Sequence, residues 1–392
     1  MNPFILNSDI QKFISDNLNT DINSLLLKGT SFPQIETKEL IEQIEAKKRC
    51  EKKLPSWFHT KGIYFPNKLN IEQTSSEATA KYKAELIQGA SIIDLTGGFG
   101  VDCYYFSKRF QSVTHCEINP ELSEIVTHNY KQLYVKNIKT CCGDGIQYLK
   151  DTSVHCDWIY VDPSRRHDSK GKVFFLNDCI PDVPKNIDLL FGCSKNILIK
   201  TSPLLDISVG LNELSCVKTI HVVALKNEVK ELLWVLEKNY KGETNIKTIN
   251  LNTAPDQYFE FKLSDEKLAM ATYSEPNNFL YEANSAILKA GAFNSISQQL
   301  QLCKLHQHSH LYTSNTLIDF PGRTFRIESV HPYNKKALKK LGISNANITT
   351  RNFPETVDGI RKKFKIKDGG NRYLFFTTDI ENNKIVIETT KI

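Results

Sequence analysis

Asp94, Glu117, Asp144 and Asp162 each follow a short apolar run, and the residues around them suit the binding of a nucleoside and action on a nitrogen atom. Asp94-Leu95-Thr96-Gly97-Gly98-Phe99-Gly100-Val101-Asp102 comes after Ser91-Ile92-Ile93, the pattern of a strand running into a glycine-rich turn and then a helix. A dinucleotide-binding turn needs a third small residue three places after Gly100, and Cys103 stands there. The turn therefore fits a cofactor without a pyrophosphate, S-adenosylmethionine. In that reading Gly97, Gly98 and Gly100 let the backbone pass close to the methionine part beside Thr96, and Asp94 holds its ammonium group, directly or through water.

Glu117 lies twenty-three residues after Asp94, in Cys116-Glu117-Ile118-Asn119-Pro120, where a carboxylate can accept from both ribose hydroxyls. Asp144, in Cys142-Gly143-Asp144-Gly145, is placed to meet the adenine amino group. Taken singly, each has an equal reading as a turn or helix cap; their order at successive strand ends favours the cofactor.

The fourth apolar run ends Val161-Asp162-Pro163-Ser164-Arg165-Arg166. Asp162 there can accept a hydrogen bond from an attacking amine and aim its lone pair, while Pro163 stiffens the turn. Methyl transfer from an activated donor demands positioning above all, and no metal is implied. Many amino-directed methyltransferases carry a second proline and an aromatic residue where this chain has Ser164 and Arg165, which leaves the acceptor atom open. Arg165 and Arg166 suit stacking on a base or clamping a phosphate, and equally a surface ion pair. Asp162-Pro163 could also be a plain strand-ending turn. Lys200-Thr201-Ser202-Pro203 faces the same cleft with an open role.

These residues need a scaffold that brings strand ends together. Apolar runs at 91–95, 112–116, 158–161, 196–199 and 219–225 alternate with stretches long enough for crossover helices, which predicts an α/β Rossmann-like, mostly parallel sheet. Residues 1–75 read as helical, with Ser8-Asp9 and Thr37 as caps. Gln73 to Ala80 opens a further helix reaching Ile87, a candidate wall of the cofactor pocket or a plain cap. Glu228 to Tyr240 reads as a helix, Lys247–Asn250 with Tyr258–Leu263 as a closing pair of strands, and Phe279 to Leu302 as helical. From Phe320 the chain becomes basic and strand-rich, with strands at 373–377 and 384–388.

Composition is that of an ordinary globular protein, 40% hydrophobic and 24% charged. No run suggests a membrane span or signal peptide, so a cytoplasmic location is expected. None of the ten cysteines is spaced Cys-x-x-Cys, which favours reduced thiols. His306-x-His308-x-His310 resembles a metal site, but without a partner nearby it reads as a polar loop. The net charge of +6 is uneven: residues 321–372 hold thirteen Lys or Arg against four Asp or Glu, +9, leaving −3 elsewhere. Such a module suits a polyanionic partner, or only a solubilising surface.

Gln73-x-Ser75-Ser76-Glu77-x-Thr79-Ala80, the Asp94–Asp102 turn and Val161–Arg166 together resemble a family of bacterial class I S-adenosylmethionine-dependent methyltransferases with a C-terminal THUMP-like domain. Ser309-His310-Leu311-Tyr312-Thr313-Ser314, the run from Ala346 to Pro354 and Lys367-Asp368-Gly369-Gly370 extend the resemblance. It implies a helical region over 1–75, a catalytic domain over 76–270, a small ferredoxin-like segment over 271–318 and an α+β THUMP-like domain over 319–392. It also implies an RNA substrate, tRNA or rRNA; the leading reading is an RNA methyltransferase with a base nitrogen as the favoured acceptor. A methyltransferase of protein or small molecules and an NAD-dependent oxidoreductase are the competing readings.

Overall fold

The computed structural model describes residues 1–29, 32–165 and 175–392. They divide into two compact units, Met1–Lys218 with Leu232–Lys241 and Thr219–Glu231 with Gly242–Ile392.

The first unit opens with a short 3-10 helix, Pro3–Leu6, and five α-helices, Ser8–Asp16, Ile22–Lys28, Thr37–Lys53, Pro55–His59 and Lys68–Gln73. Their helical spacing buries Ile10 and Ile14, then Leu40, Ile41 and Ile44. The caps differ from expectation. Asn7, one residue earlier than Ser8, accepts from the Asp9 amide at 3.0 Å, and the helix at Thr37 starts from Glu36 without a side-chain cap. Ser76 caps Glu77–Leu86, accepting from the Thr79 amide at 3.2 Å.

Five parallel strands follow: β1 (Ser91–Asp94), β2 (Ser112–Glu117), β3 (Ile138–Cys142), β4 (Cys156–Val161) and β5 (Ser194–Thr201). They alternate with the helices Val101–Phe106, Pro120–Gln132, Gly145–Thr152 and Val183–Cys193 and lie in the order β3-β2-β1-β4-β5. Crossover helices cover the sheet, so consecutive residues are buried, as at Ile159, Tyr160, Val161 and at Ile197, Leu198, Ile199.

The next strands are β6 (Val217–Leu225) and β7 (Glu228–Glu237). Residues 232–237 of β7 run antiparallel beside β5. The expected helix at Glu228–Tyr240 is thus a strand. Lys226 and Asn227 both take positive φ, 51° and 64°, the two-residue turn that reverses a chain into a hairpin. The run Leu232-Leu233-Trp234-Val235-Leu236 then packs as a buried strand, an environment that hides period-two alternation.

In the second unit β8 (Asn245–Leu251) runs parallel to β6, and β9 (Gln257–Lys262) closes antiparallel on β8, the pair the sequence predicts. An eight-stranded sheet follows, built from β10 (Thr272–Tyr273), β11 (Phe279–Ala283), β12 (Cys303–Lys304), β13 (Leu311–Ser314), β14 (Gly322–Pro332), β15 (Asn347–Thr350), β16 (Arg372–Thr378) and β17 (Lys384–Lys391). Its order is β10-β12-β13-β11-β14-β17-β16-β15. The expected long helix at Phe279–Leu302 is instead β11 and two short helices, Ser285–Ala290 and Ser295–Gln299. Asn284 caps the first of these and Gly291 ends it in the left-handed region, so the alanines there serve one turn and a half.

Alternate residues of β16 and β17 enter two separate clusters. Phe375 and Ile387 join Leu280 and Phe325, whereas Leu374, Phe376 and Val386 join Leu338 and Ile360. Leu338 and Ile360 come from the helices Lys335–Lys340 and Val357–Phe364, so both helices cover the same face of this sheet. In the polar loop at 305–310, His306 Nε2 lies 3.1 Å from Asn382 Oδ1, and its Nδ1 accepts from Asn352 Nδ2 at 3.0 Å and from the His308 amide at 3.1 Å. No helix among the described residues is long and apolar enough to cross a membrane.

Candidate active site

The ends of β1, β2 and β4 meet through hydrogen bonds made by the glycine turn. Leu95 N–H donates to the Tyr160 carbonyl at 3.0 Å and Gly97 N–H to the Cys116 carbonyl at 2.7 Å, fastening the turn on both sides. Asp94 is buried and accepts from the Thr96 amide at 2.9 Å, the Thr96 hydroxyl at 3.3 Å and the Cys103 thiol at 3.2 Å. Burial pushes its carboxyl up to about 7, with the nearby Asp102 and Asp162 carboxylates adding to the rise and the Thr96 amide opposing it.

Thr96 joins the two halves of the site. Its hydroxyl also accepts from the Asp162 amide at 2.7 Å, so the first residue past β4 is held by the turn that follows β1. The Glu117 carboxylate spans the next gap, taking the Gly98 amide on Oε2 at 2.9 Å and the Asn119 amide on Oε1 at 2.8 Å. A carboxylate has about four lone-pair directions, so two remain after these bonds. Asp144 caps the helix Gly145–Thr152, accepting from the Gln147 amide at 2.9 Å, and its side chain is exposed. The capping alternative is therefore realised at this position.

The glycines serve closeness more than freedom at one position and both at another. A Cβ on Gly97 would lie 2.3 Å from His115 Nε2, whose ring is wholly buried under the turn. Burial pushes the His115 pKa down to about 4, so the imidazole stays neutral. Gly100 has φ of 79°, and a Cβ there would meet the Tyr130 hydroxyl at 2.3 Å. Replacing Gly97 with alanine is expected to cost about 1–3 kcal/mol through overpacking. Urea unfolding measures this; an unchanged midpoint would mean the imidazole swings aside freely.

Of the reaction motif, Asp162 is half-buried and pairs with the Lys200 ammonium, and Pro163 is buried. Ser164 and Arg165 are exposed and form a two-residue strand against Cys179-Ile180. Arg166 lies outside the described residues.

A second buried group was not legible as functional from the motifs. Lys83 is fully buried and forms an ion pair with Asp102 at 3.3 Å, while Asp102 Oδ2 accepts from the Ser75 hydroxyl at 2.9 Å and the Tyr160 hydroxyl at 2.8 Å. Burial works against the charged Asp102, yet Lys83, Lys200 and the two hydroxyls hold its carboxyl below the usual range. The polar stretch before the turn thus contributes Ser75 to a buried network. Glu77 beside it accepts from the Ser56 hydroxyl at 2.9 Å and from the Tyr105 hydroxyl at 2.8 Å. One signal was available: Lys83 shares a helix face with Ala80 and Ala84, both buried, so a lysine stands at a core position.

A parallel sheet ordered β3-β2-β1-β4-β5 with antiparallel β7 beyond it, a glycine turn after β1 and a carboxylate after β2 is the fold of class I S-adenosylmethionine-dependent methyltransferases. Three family models match: "RNA cap guanine-N2 methyltransferase" over residues 89–165, "ferredoxin-like domain" over 279–321 and "THUMP domain-like" over 322–391. A crystal structure from Porphyromonas gingivalis W83, described as a "putative methyltransferase", is 33% identical with a TM-score of 0.89, covering 98% of this chain and 97% of that one. The chain belongs to the same family of bacterial methyltransferases, with a THUMP-like domain following the catalytic domain in sequence. An "uncharacterized RNA methyltransferase" of Mycoplasma mobile is 29% identical over 168 residues, 42% of this chain and 45% of that protein. The chain thus matches less than half the length of that curated relative.

Proposed function

We propose that the protein methylates a base nitrogen of RNA, tRNA or rRNA, in the cytoplasm, with S-adenosylmethionine as donor. The observation that carries this reading is the Thr96 hydroxyl, which ties the Asp94 turn to the Asp162 amide and so couples a donor site to an acceptor site. The bound donor supplies a methyl group already activated on a sulfonium. The residues fit it: Asp94 for its ammonium, the backbone at Thr96, Gly97, Gly98 and Gly100 for the methionine part, and the free lone pairs of Glu117 for the ribose hydroxyls. Asp144 is assigned to the adenine edge, with its cap to the Gln147 amide using one lone pair. Asp162 orients the acceptor, Pro163 stiffens the turn, and Ser164 and Arg165 offer exposed polar contacts to the substrate.

Binding of the donor's ammonium needs an ionised Asp94. With its carboxyl at about 7, the charged form prevails above pH 7 and is lost below it, so affinity is present above that value and falls as pH drops. Calorimetry with S-adenosylhomocysteine should show binding about tenfold weaker at pH 6 than at pH 8. Asp94→Asn should flatten the profile. NAD should not bind, and a profile rising toward acid would remove Asp94 from the ammonium site.

Support for RNA comes from the second unit. Lys335, Lys336, Lys339 and Lys340 on one helix, with Lys362, Lys365 and Lys367 on and after the other, are exposed and join no ion pair among the described residues. Both helices cover one face of their sheet, which puts the lysines they carry on the same side of it. RNA binding by the full chain should weaken steeply with salt, and exchanging Lys335, Lys336, Lys339 and Lys340 for glutamine should reduce the log-log slope by about 3. A slope near zero in the unaltered protein would sink the RNA reading.

A further inference from the structure

β4 and β5 are parallel neighbours with Val161 opposite Ile199, so Asp162 and Lys200 leave the same sheet edge side by side. Lys200 Nζ donates to Asp162 Oδ2, and no donor among the described residues meets Oδ1. Among the described residues the Lys200 side chain is 12% exposed and that of Asp162 32% exposed, so this ion pair is shielded but Asp162 keeps contact with solvent. The pair presents an anionic acceptor next to a cationic donor.

Resting on the reading that the acceptor is an RNA base nitrogen, we propose that Asp162 and Lys200 grip a lactam edge, –NH–C=O–, and that its ring nitrogen, N1 of guanine or N3 of uracil, is the atom methylated. The N–H donates to Asp162 and the adjoining carbonyl oxygen accepts from Lys200. Base edges differ in their donor and acceptor patterns, and a flipped base is read on its Watson–Crick edge. An amidine edge, as in adenine, could also donate an amino N–H to Asp162 and accept from Lys200 on the ring nitrogen. Charge development separates the two. Methylation of an exocyclic amine builds positive charge on the amidine, which the ammonium opposes. Methylation of a lactam nitrogen transfers its proton to Asp162 and builds negative charge on the carbonyl oxygen, which the ammonium stabilises. The N–C bond forms as the S–C bond breaks, the electron pair stays on sulfur, and Asp162 later releases its proton to water. Lys200 is then a catalytic residue.

The test incubates the full chain with S-adenosylmethionine and an unmodified transcribed pool of tRNA and rRNA, followed by nucleoside mass spectrometry. 1-Methylguanosine or 3-methyluridine is the expected product, and which of them forms identifies the base. N2-methylguanosine, N6-methyladenosine or a ribose methyl would overturn the lactam assignment while leaving an RNA methyltransferase in place. No RNA methylation by protein that binds S-adenosylhomocysteine would remove the RNA reading and this assignment with it. Lys200→Met should bind S-adenosylhomocysteine as tightly as the parent, and it is assayed below its melting temperature, which the loss of a shielded ion pair lowers. Its turnover should fall about 10²–10³-fold at neutral pH, then recover as pH rises and the ring N–H ionises unaided. A variant equally active, or equally slow at every pH, would show that Lys200 does not stabilise a developing oxyanion.

Discussion

Asp162→Asn is expected to reduce methyl transfer by about 10²–10⁴-fold, the usual contribution of a positioned general base. S-Adenosylhomocysteine affinity should hardly move. The two effects separate because the donor half of the site touches residue 162 through its backbone: the Thr96 hydroxyl accepts from the Asp162 amide, which asparagine retains. The side chain looks the other way, toward Lys200. Asparagine is close in shape and can still accept one hydrogen bond, but it cannot take a proton or balance the ammonium. Single-turnover measurement with saturating donor reads the chemical step directly, and calorimetry reads the donor site. A variant that methylates at the parent rate would exclude Asp162 from the chemistry.

Lys83→Met is expected to destabilise the first unit by about 3–5 kcal/mol, the cost of removing one partner from a buried ion pair. Lys83 is fully buried, and the Asp102 carboxylate it pairs with has little water to turn to. The Ser75 and Tyr160 hydroxyls still donate to Asp102, but they are neutral and stabilise a charge less than an ammonium does. Adding Asp102→Leu should restore much of the loss, since an apolar pair of similar volume often matches a buried ion pair. Chemical denaturation of the parent, both single variants and the double variant gives the coupling. A loss under about 1 kcal/mol in Lys83→Met would mean that water reaches Asp102.

Much of this architecture is legible in the sequence because parallel strands buried on both faces write continuous apolar runs, and the turn residues between them have few other uses. β1, β2, β4, β5 and β6 all lie where such runs occur. The same continuity hides β7: Leu232–Leu236 looks alike as a helix or a buried strand, and the deciding turn at Lys226-Asn227 contains no glycine. Phe279–Leu302 misleads in another way, its alanines suggesting one long helix that Asn284 and Gly291 break. In the site, residues that adjoin the turn by sequence can be found by sequence. Lys83, His115 and Lys200 reach it from other elements, and their contacts depend on strand order and register. Lys200 could be placed at the cleft by its strand-end run though not given a partner, and Lys83 left a trace as a charge on an apolar helix face.

A hydroxyl group has one proton to give, and that of Thr96 is offered to Asp94 while its oxygen receives the Asp162 amide. The direction of this short chain is set by the charge on Asp94. When that carboxylate is ionised both of its oxygens accept, Oδ1 from Thr96 and Oδ2 from Cys103, and when it is protonated one of them becomes a donor. Because burial pushes the carboxyl up to about 7, both protonation states are present near neutrality. A cation beside Asp94 favours the ionised form, in which the Thr96 proton points to the carboxylate and its oxygen is left to the Asp162 amide. One hydroxyl oxygen thus stands between the carboxylate assigned to the donor and the strand end assigned to the acceptor, so Thr96→Val would loosen both at once.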